Sequence, residues 1–153
     1  MKNLVKSLEE MANFARGIFA KLEKSSQSNQ ATILALQGDL GSGKTAFVKA
    51  LAEVLGIKEI VTSPTFVIEK IYTLEKKSQN TAQSFSKLIH IDAYRLDRPE
   101  ELAKLGWAEI CANPKNLICI EWPERLSSLI PSDALHLRFT FIDEQTREIV
   151  VVQ

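Results

Sequence analysis

Apolar side chains recur every three to four positions between residues 8 and 24, which predicts an amphipathic helix near the start of the chain. Ser7 precedes this stretch as a candidate N-cap, and a pair of glutamates follows it in the first turn, where acidic side chains favour a helix. Residues 25–30 are polar and predict a linker. A second helix is predicted over residues 46–55, with Gly56 as its C-terminal cap.

Short apolar runs alternate with these helices and predict the strands of a sheet. Three of the runs are almost wholly apolar, as in strands covered on both faces, and occupy residues 32–36, 88–92 and 117–121. Further strands are predicted at residues 66–72, 135–142 and 147–152, the last two as a closing hairpin. Pro99 is expected to open a short helix that ends near Leu105, and the polar stretch 73–87 is either a hairpin tip or a mobile insert. This order predicts an α/β fold with a mostly parallel central sheet and antiparallel strands at its edge.

Length, charge and cysteine spacing exclude several classes of protein. The 153 residues suit one domain, 1–153, and 19 basic residues balance 19 acidic ones, so no overall field favours binding to DNA or RNA. No apolar run approaches the roughly 18 residues of a membrane span, and no signal peptide is evident. Cys111 and Cys119 lack the spacing of a metal site and are expected to be buried thiols. A cytoplasmic protein is expected.

A glycine-rich motif follows the first predicted strand and opens the second helix. Residues 38–45 read Gly-Asp-Leu-Gly-Ser-Gly-Lys-Thr and match the P-loop pattern at every fixed position. Backbone N–H groups of such a loop converge on phosphate oxygens, the lysine adds a charge, and the threonine offers a hydroxyl to Mg²⁺. Lys44 is expected to be exposed when no nucleotide is bound. The expected nucleotide-binding residues here are Gly38, Gly41, Ser42, Gly43, Lys44, Thr45 and Ala46.

Two acidic residues end buried strands. Asp92 and Glu121 are expected at the carboxyl edge of the sheet, where ligands bind in open α/β sheets. Hard oxygen ligands suit Mg²⁺, so one acid is expected to serve the metal and the other to orient the attacking water. The competing interpretation is that either acid merely caps the next helix.

Several further residues have two readings each. His90 lies inside an apolar strand, where a core role is favoured over a catalytic one, and Trp122 can line the nucleotide pocket or simply pack. The Thr-Ser-Pro-Thr-Phe segment at 62–66 can sense a γ-phosphate or be a plain connection. For Arg95 and Arg125, a surface salt bridge is favoured over a role in phosphoryl transfer.

Four motifs in this order resemble the TsaE family: the P-loop, Ser-Pro-Thr-Phe at 63–66, His-Ile-Asp-Ala-Tyr-Arg at 90–95, and Ile-Glu-Trp-Pro-Glu-Arg at 120–125. The resemblance implies a P-loop NTPase-like three-layer sandwich and a bacterial ATPase required for the threonylcarbamoyladenosine modification of tRNA. It also implies that the ATPase works with the TsaB–TsaD pair, of which TsaD carries the transfer chemistry, and meets tRNA only through that complex.

The resemblance also assigns roles to particular residues. It implies that Thr45 and Glu121 approach Mg²⁺, that Lys44 and the loop hold the phosphates of ATP or ADP, and that Asp92 is the Walker B acid. The implied residues beyond this set are Thr65 in a switch-like loop, Trp122 and Arg125 beside the nucleotide, and Met11 near the adenine. The family often has threonine near position 11, and the 73–87 stretch is longer than usual, so the chain departs from the pattern at both places.

Other classes of P-loop protein fit the sequence less well. A small-molecule kinase is the main alternative, but the chain lacks an arginine-rich lid and has little length left for an acceptor site. A GTPase would need an Asn-Lys-x-Asp motif, which residues 113–116 do not match. A non-catalytic nucleotide-binding module is disfavoured because Lys44, Thr45, Asp92 and Glu121 are all intact.

Overall fold

The computed structural model describes residues 1–25, 29–64, 67–75 and 84–152, which build one sheet with helices on both faces. The strands are β1 (Lys2–Val5), β2 (Thr32–Gln37), β3 (Glu69–Thr73), β4 (Lys87–Asp92), β5 (Asn116–Glu121), β6 (Leu135–Phe141) and β7 (Arg147–Val152). The helices are α1 (Leu8–Ser25), α2 (Lys44–Val54), α3 (Glu100–Ala103) and α4 (Trp107–Ala112), with a 3₁₀ turn at Pro123–Leu126.

The sheet has the order β1-β7-β6-β2-β5-β4-β3. The four central strands β6, β2, β5 and β4 are parallel, whereas β3, β7 and β1 pair antiparallel at the two sides. This arrangement confirms the predicted mixed sheet. Because β2, β4 and β5 run in the same direction, their carboxyl ends meet at one edge, and Asp92 is directly opposite Glu121 in the register.

Alternating apolar residues build a separate core on each face of the sheet. On β2, Leu34 contributes to the cluster beneath α1 and α2, whereas its neighbour Ile33 contributes to the cluster beneath α3 and α4. Phe47 of α2 is fully buried and lies edge-on to the ring of Phe14 in α1, which holds these two helices together. The contact with α1 therefore holds α2, the helix that follows the glycine-rich loop, in place. The first turn of α2 lies at the carboxyl edge of the sheet.

Several element boundaries agree with the sequence. The backbone N–H of Glu10 donates to Ser7 Oγ at 3.1 Å, so Ser7 is the predicted N-cap of α1. Gly56 follows α2 with a φ of 77°, the left-handed conformation expected of a C-terminal cap. The stretch 73–87 joins the antiparallel pair β3 and β4, which confirms the hairpin; its central residues, 76–83, lie outside the described part of the chain.

Other predictions require correction. The helix expected from Pro99 to Leu105 spans only Glu100–Ala103, since the chain turns again at Gly106, which has a φ of 77° and starts α4. The sequence did not predict α4 or β1; β1 has only four residues and forms by pairing with β7 at the far end of the chain. Both cysteines are free, but Cys111 is only half-buried. No helix in the described ranges has the length and apolarity needed to cross a bilayer.

Candidate nucleotide-binding site

The glycine-rich loop turns sharply between β2 and α2. Gly38 has a φ of 144°, and a Cβ at that position would collide with the carbonyl oxygen of Phe139 on β6, so only glycine lets the loop lie so close to the sheet. Gly43 has a φ of 106° and is the N-cap of α2, which begins at Lys44. The free backbone N–H groups and the positive end of α2 therefore face the carboxyl edge of the sheet, as anion binding requires.

Lys44 is buried, contrary to the expectation that it would be exposed. The residue is 4% accessible, and Nζ donates hydrogen bonds to the carbonyl oxygens of Gly38 at 2.6 Å and Asp39 at 2.9 Å. The ammonium also lies 4.6 Å from the ring centroid of Trp122, a cation–π distance. Burial lowers the pKa of Lys44 below its ordinary value, although the carboxylates of Glu121 and Asp92 act in the opposite direction.

The two strand-end acids meet the loop. Glu121 is buried, and its Oε1 accepts a hydrogen bond from the hydroxyl of Thr45 at 2.8 Å, which joins β5 directly to the first turn of α2. Asp92, also buried, accepts a hydrogen bond from the backbone N–H of Tyr94 at 3.0 Å and thus stabilises the turn after β4. The Asp92 contact closes a turn rather than capping a helix, and neither the helix after Asp92 nor the 3₁₀ turn after Glu121 has a side-chain cap among the described residues.

Trp122 has an unusual backbone conformation beside the loop. Its φ of 60° is left-handed, which a non-glycine residue adopts only where neighbouring contacts enforce it. Its backbone N–H donates to Leu36 at 3.3 Å, and its ring lies 5.0 Å from that of Tyr94. Arg125 in turn lies 5.5 Å above the Tyr94 ring, so three side chains form a layered group at the side of the loop.

The glycine-rich loop and the strand-end acids border a cleft of about 350 Å³. The walls are the loop and the first turn of α2, together with Ser63, Asp92, Glu121, Trp122 and Arg147. A second cleft of about 260 Å³ adjoins it, because Gly43, Ala46 and Arg147 line both. The remaining walls of the second cleft are Val5, Ser7, Leu8 and Met11 from the N-terminal segment and two residues of the β6–β7 turn, Glu144 and Gln145.

Comparison with known proteins identifies the family. The family model described as "Threonylcarbamoyl adenosine biosynthesis protein TsaE" matches residues 5–149, nearly the whole chain. The chain belongs to the TsaE family. A relative named tRNA threonylcarbamoyladenosine biosynthesis protein TsaE, from Borreliella burgdorferi, is 38% identical over 130 residues, which are 85% of this chain and 83% of the relative. The protein of the same name from Treponema pallidum is 32% identical over 99% of both chains.

A solved structure agrees in fold. The crystal structure of Bacillus subtilis YdiB superimposes with a TM-score of 0.69 at 27% sequence identity, and the match covers 99% of this chain and 83% of YdiB. The β1 strand and the helix α4, which the sequence did not predict, therefore lie within a span shared with an experimentally determined structure.

The structure brings together most of the residues that the TsaE resemblance singled out. Lys44, Thr45, Asp92, Glu121 and Trp122 all line one cleft, together with Gly41, Gly43 and Ala46. Gly38 and Ser42 lie behind them: the Gly38 carbonyl accepts from Lys44, and Ser42 is buried within the loop.

Three predicted contacts stay predictions. Met11 is buried in α1 and lines the second cleft, where an adenine contact remains to be tested. Arg125 lies outside the lining of both clefts, on the ring of Tyr94, so its predicted contact with a nucleotide has no support yet. Thr65, the expected switch residue of the TsaE pattern, lies outside the described residues; its neighbour Ser63 lines the first cleft.

Arg147 is a site residue that sequence reasoning missed. It is the first residue of β7, and its side chain borders Gly43 and both clefts, while Nη1 donates to the Asp143 carbonyl at 2.6 Å. Because β6 is parallel to β2, the turn after β6 lies at the same edge of the sheet as the glycine-rich loop. The only signal in the sequence was its position after a turn, which does not reveal that edge.

The position of Trp122 predicts a fluorescence signal. In a Trp107→Phe background, adding Mg²⁺–ADP is expected to change the Trp122 emission, because a nucleotide phosphate would draw Lys44 away from the indole ring. Trp107 is buried in the core on the α3–α4 face and is the control: in Trp122→Phe its emission should stay constant. Unchanged Trp122 emission at saturating nucleotide would mean that nucleotide does not bind beside this ring.

Proposed function

We propose that the chain is a P-loop NTPase-like ATPase, dependent on Mg²⁺, that serves threonylcarbamoyladenosine modification of tRNA by acting on TsaB–TsaD. The observation that carries the ATPase proposal is the hydrogen bond between the Thr45 hydroxyl and Glu121. It joins a glycine-rich phosphate loop to a buried strand-end carboxylate, with Lys44 and Asp92 in the same cleft. Family membership supports the tRNA-modification role, since the matching relatives carry that role in their names.

The two adjoining clefts suit the two ends of a nucleotide. The first, at the positive end of α2, has backbone N–H groups and the Lys44 ammonium for phosphates. The second is bordered by the apolar side chains of Val5, Leu8 and Met11 and by the stem of Arg147, which suit the faces of a purine ring. In this proposal, Ala46 and Gly43 lie where the two ends join, since both clefts share them.

The residues at the first cleft also fit a magnesium ion. Mg²⁺ is commonly held by one or two carboxylates plus substrate phosphates and keeps several waters. Thr45, Glu121 and Asp92 offer one hydroxyl and two carboxylates, and no group of three or more His, Cys, Asp or Glu side chains among the described residues is arranged to hold a metal ion by itself. Such a set suits Mg²⁺ bound together with ATP better than a metal held by protein alone. When bound, the ion would neutralise charge on the phosphate oxygens.

In this proposal, each side chain at the first cleft has a separate role in ATP hydrolysis. The Thr45 O–H donates a hydrogen bond to Glu121 Oε1, so Glu121 orients the hydroxyl, whose oxygen would be offered to the ion. Lys44 exchanges the loop carbonyls for phosphate oxygens, which are stronger acceptors for a desolvated ammonium. Asp92 is left to hold the attacking water or a metal-bound water. Ser63 and Thr65 would contact the γ-phosphate, so that the conformation of their loop would depend on whether ATP or ADP is bound.

A partner-dependent switch fits this chain better than a free-standing enzyme. With 19 basic and 19 acidic residues, counterion release contributes little to independent tRNA binding. We expect weak ATPase activity in isolation and stimulation by TsaB–TsaD, because the partner would populate the conformation that completes the site around the γ-phosphate. This role corresponds to a cytoplasmic protein that meets tRNA only through the complex.

The test is a steady-state titration of ATPase activity with purified TsaB–TsaD, alongside a binding assay with bare tRNA at physiological salt. Release of inorganic phosphate that rises with partner concentration is expected, with negligible binding of tRNA alone. Full activity in isolation with no partner effect would reject the switch. Phosphate transferred to an acceptor instead of released would favour a small-molecule kinase.

A further inference from the structure

His90 has a contact that its position in the core did not predict. It lies on β4, is completely buried, and its Nε2 is 2.8 Å from Oε1 of Glu121. That same oxygen accepts the hydrogen bond of the Thr45 hydroxyl, also at 2.8 Å. Among the described residues, His90 lines neither cleft, and its side-chain hydrogen bond to the site is the one with Glu121.

The partners of the imidazole determine its tautomer. An ionised carboxylate only accepts hydrogen bonds, so the nitrogen that faces it, Nε2, carries the proton. The other ring nitrogen, Nδ1, is buried and has no hydrogen-bond partner among the described residues. His90 therefore makes a single directed hydrogen bond, and Glu121 receives it.

Glu121 needs such a donor because of where it lies. Its carboxylate is buried and is opposite the buried carboxylate of Asp92 in the parallel register of β4 and β5. Two donors from different elements, Thr45 on α2 and His90 on β4, converge on Oε1 and restrain rotation of the carboxylate. Oε2 is engaged by neither donor, and Glu121 lines the cleft. Of the two donors, Thr45 lines the cleft and His90 does not, so His90 restrains Glu121 from the side of the core.

We propose that His90 is a positioning residue: its Nε2–H orients Glu121 for the metal and thereby sets the Mg²⁺ dependence of the site. The inference rests on the proposed ATPase function and deepens it. Groups that orient a metal ligand typically change metal affinity or activity about 10–100-fold when removed. The role is distinct from packing, because it requires a hydrogen-bond donor at one atom position rather than a side chain of a given volume.

Three substitutions separate the donor from the volume. In His90→Gln the amide nitrogen lies three bonds from Cβ, as Nε2 does, so the donor is kept. In His90→Asn the amide nitrogen lies where Nδ1 was, and in His90→Leu no donor remains. Leu88→Val is the control for general loosening, since Leu88 is on the same strand, faces the same core and is also fully buried.

Two measurements on the folded variants test the role. The first is kcat as a function of Mg²⁺ concentration; the second is the ratio of the ADP dissociation constants without and with Mg²⁺, followed by Trp122 fluorescence. His90→Asn and His90→Leu are expected to lower kcat about 10–100-fold and to raise the Mg²⁺ concentration required, while the KM for ATP changes little. His90→Gln and Leu88→Val should stay within about threefold of the parent, well below that range. The proposal is overturned if His90→Asn and His90→Leu, which both lack a donor at the Nε2 position, keep the parental Mg²⁺ dependence. It is also overturned if the folded His90→Gln variant does not keep the parental Mg²⁺ dependence.

A third measurement does not depend on hydrolysis. The ¹⁵N chemical shifts of the His90 ring in the metal-free, nucleotide-free chain report which nitrogen carries the proton. Protonation at Nε2, with a change in those shifts in Glu121→Ala, is expected; protonation at Nδ1 alone contradicts the proposal. If the parent chain hydrolyses no ATP, the ATPase function fails, whereas these shifts and the Mg²⁺ dependence of ADP binding still decide the role of His90.

Discussion

Replacing Lys44 by methionine is expected to lower the kcat of ATP hydrolysis about 10²–10³-fold, the usual cost of removing one preorganised donor from a developing charge. The Lys44 side chain lies against the loop and its ammonium is bonded to two loop carbonyls, so a phosphate oxygen would replace those carbonyls as its acceptor. Methionine keeps an unbranched stem under Trp122 and removes only the charge and its hydrogen bonds. Phosphate release at saturating Mg²⁺–ATP is the measurement.

The same substitution should leave the chain folded. Burial lowers the pKa of Lys44, so the charged form is less favourable in the folded chain than in water, and this cost is present at every pH below the lowered pKa. Removing the charge removes this cost, so the circular dichroism spectrum and the Tm of Lys44→Met are expected to stay close to those of the parent. Lys44→Ala, which also removes the stem, is the companion variant. Near-parental turnover in a folded Lys44→Met would exclude this loop as the phosphate site.

Glu121→Gln is expected to lower Mg²⁺-dependent turnover by about 10²–10³-fold as well, because a neutral amide would hold Mg²⁺ less well and the ion would neutralise the charge that develops on the phosphate oxygens. The substitution is nearly isosteric but replaces a carboxylate, which accepts from both Thr45 and His90, by a neutral amide. Asp92→Asn should have a comparable effect if Asp92 holds the water or the metal. Its bond to the Tyr94 backbone can persist, because asparagine still offers a side-chain oxygen.

Glu124→Gln is the matched control for charge. Glu124 is exposed on the 3₁₀ turn and lies outside the cleft. Its negative charge nevertheless raises the pKa of Lys44, as the charges of Glu121 and Asp92 do. Its neutralisation should change turnover by less than about threefold, because interactions between exposed charges are weak and screened. If Glu121→Gln or Asp92→Asn behaves like Glu124→Gln, with parental Mg²⁺ dependence, that acid has only a structural role.

The local sequence pattern predicted the elements that form the candidate site, because most of the residues involved are adjacent in the chain or end a strand. The glycines, Lys44 and Thr45 are adjacent in the chain, and their chemistry depends on a loop conformation that the glycines themselves allow. Asp92 and Glu121 were identifiable because each ends an apolar strand, and parallel strands end at one edge of a sheet. Trp122 had two readings, and its contact with Lys44 favours the one beside the phosphate loop.

Tertiary structure decided the features that depend on residues far apart in the chain. The hydrogen bonds of Glu121 with Thr45 and with His90 join residues 76 and 31 positions apart, and no local spacing encodes them. Burial of Lys44 depends on Trp122 covering the loop, and Arg147 reaches both clefts only because β6 pairs with β2. β1 likewise forms by pairing with β7. Local sequence therefore specifies which chemical groups the chain offers at the proposed phosphate and metal site, whereas packing of the sheet specifies which of them are buried and in contact.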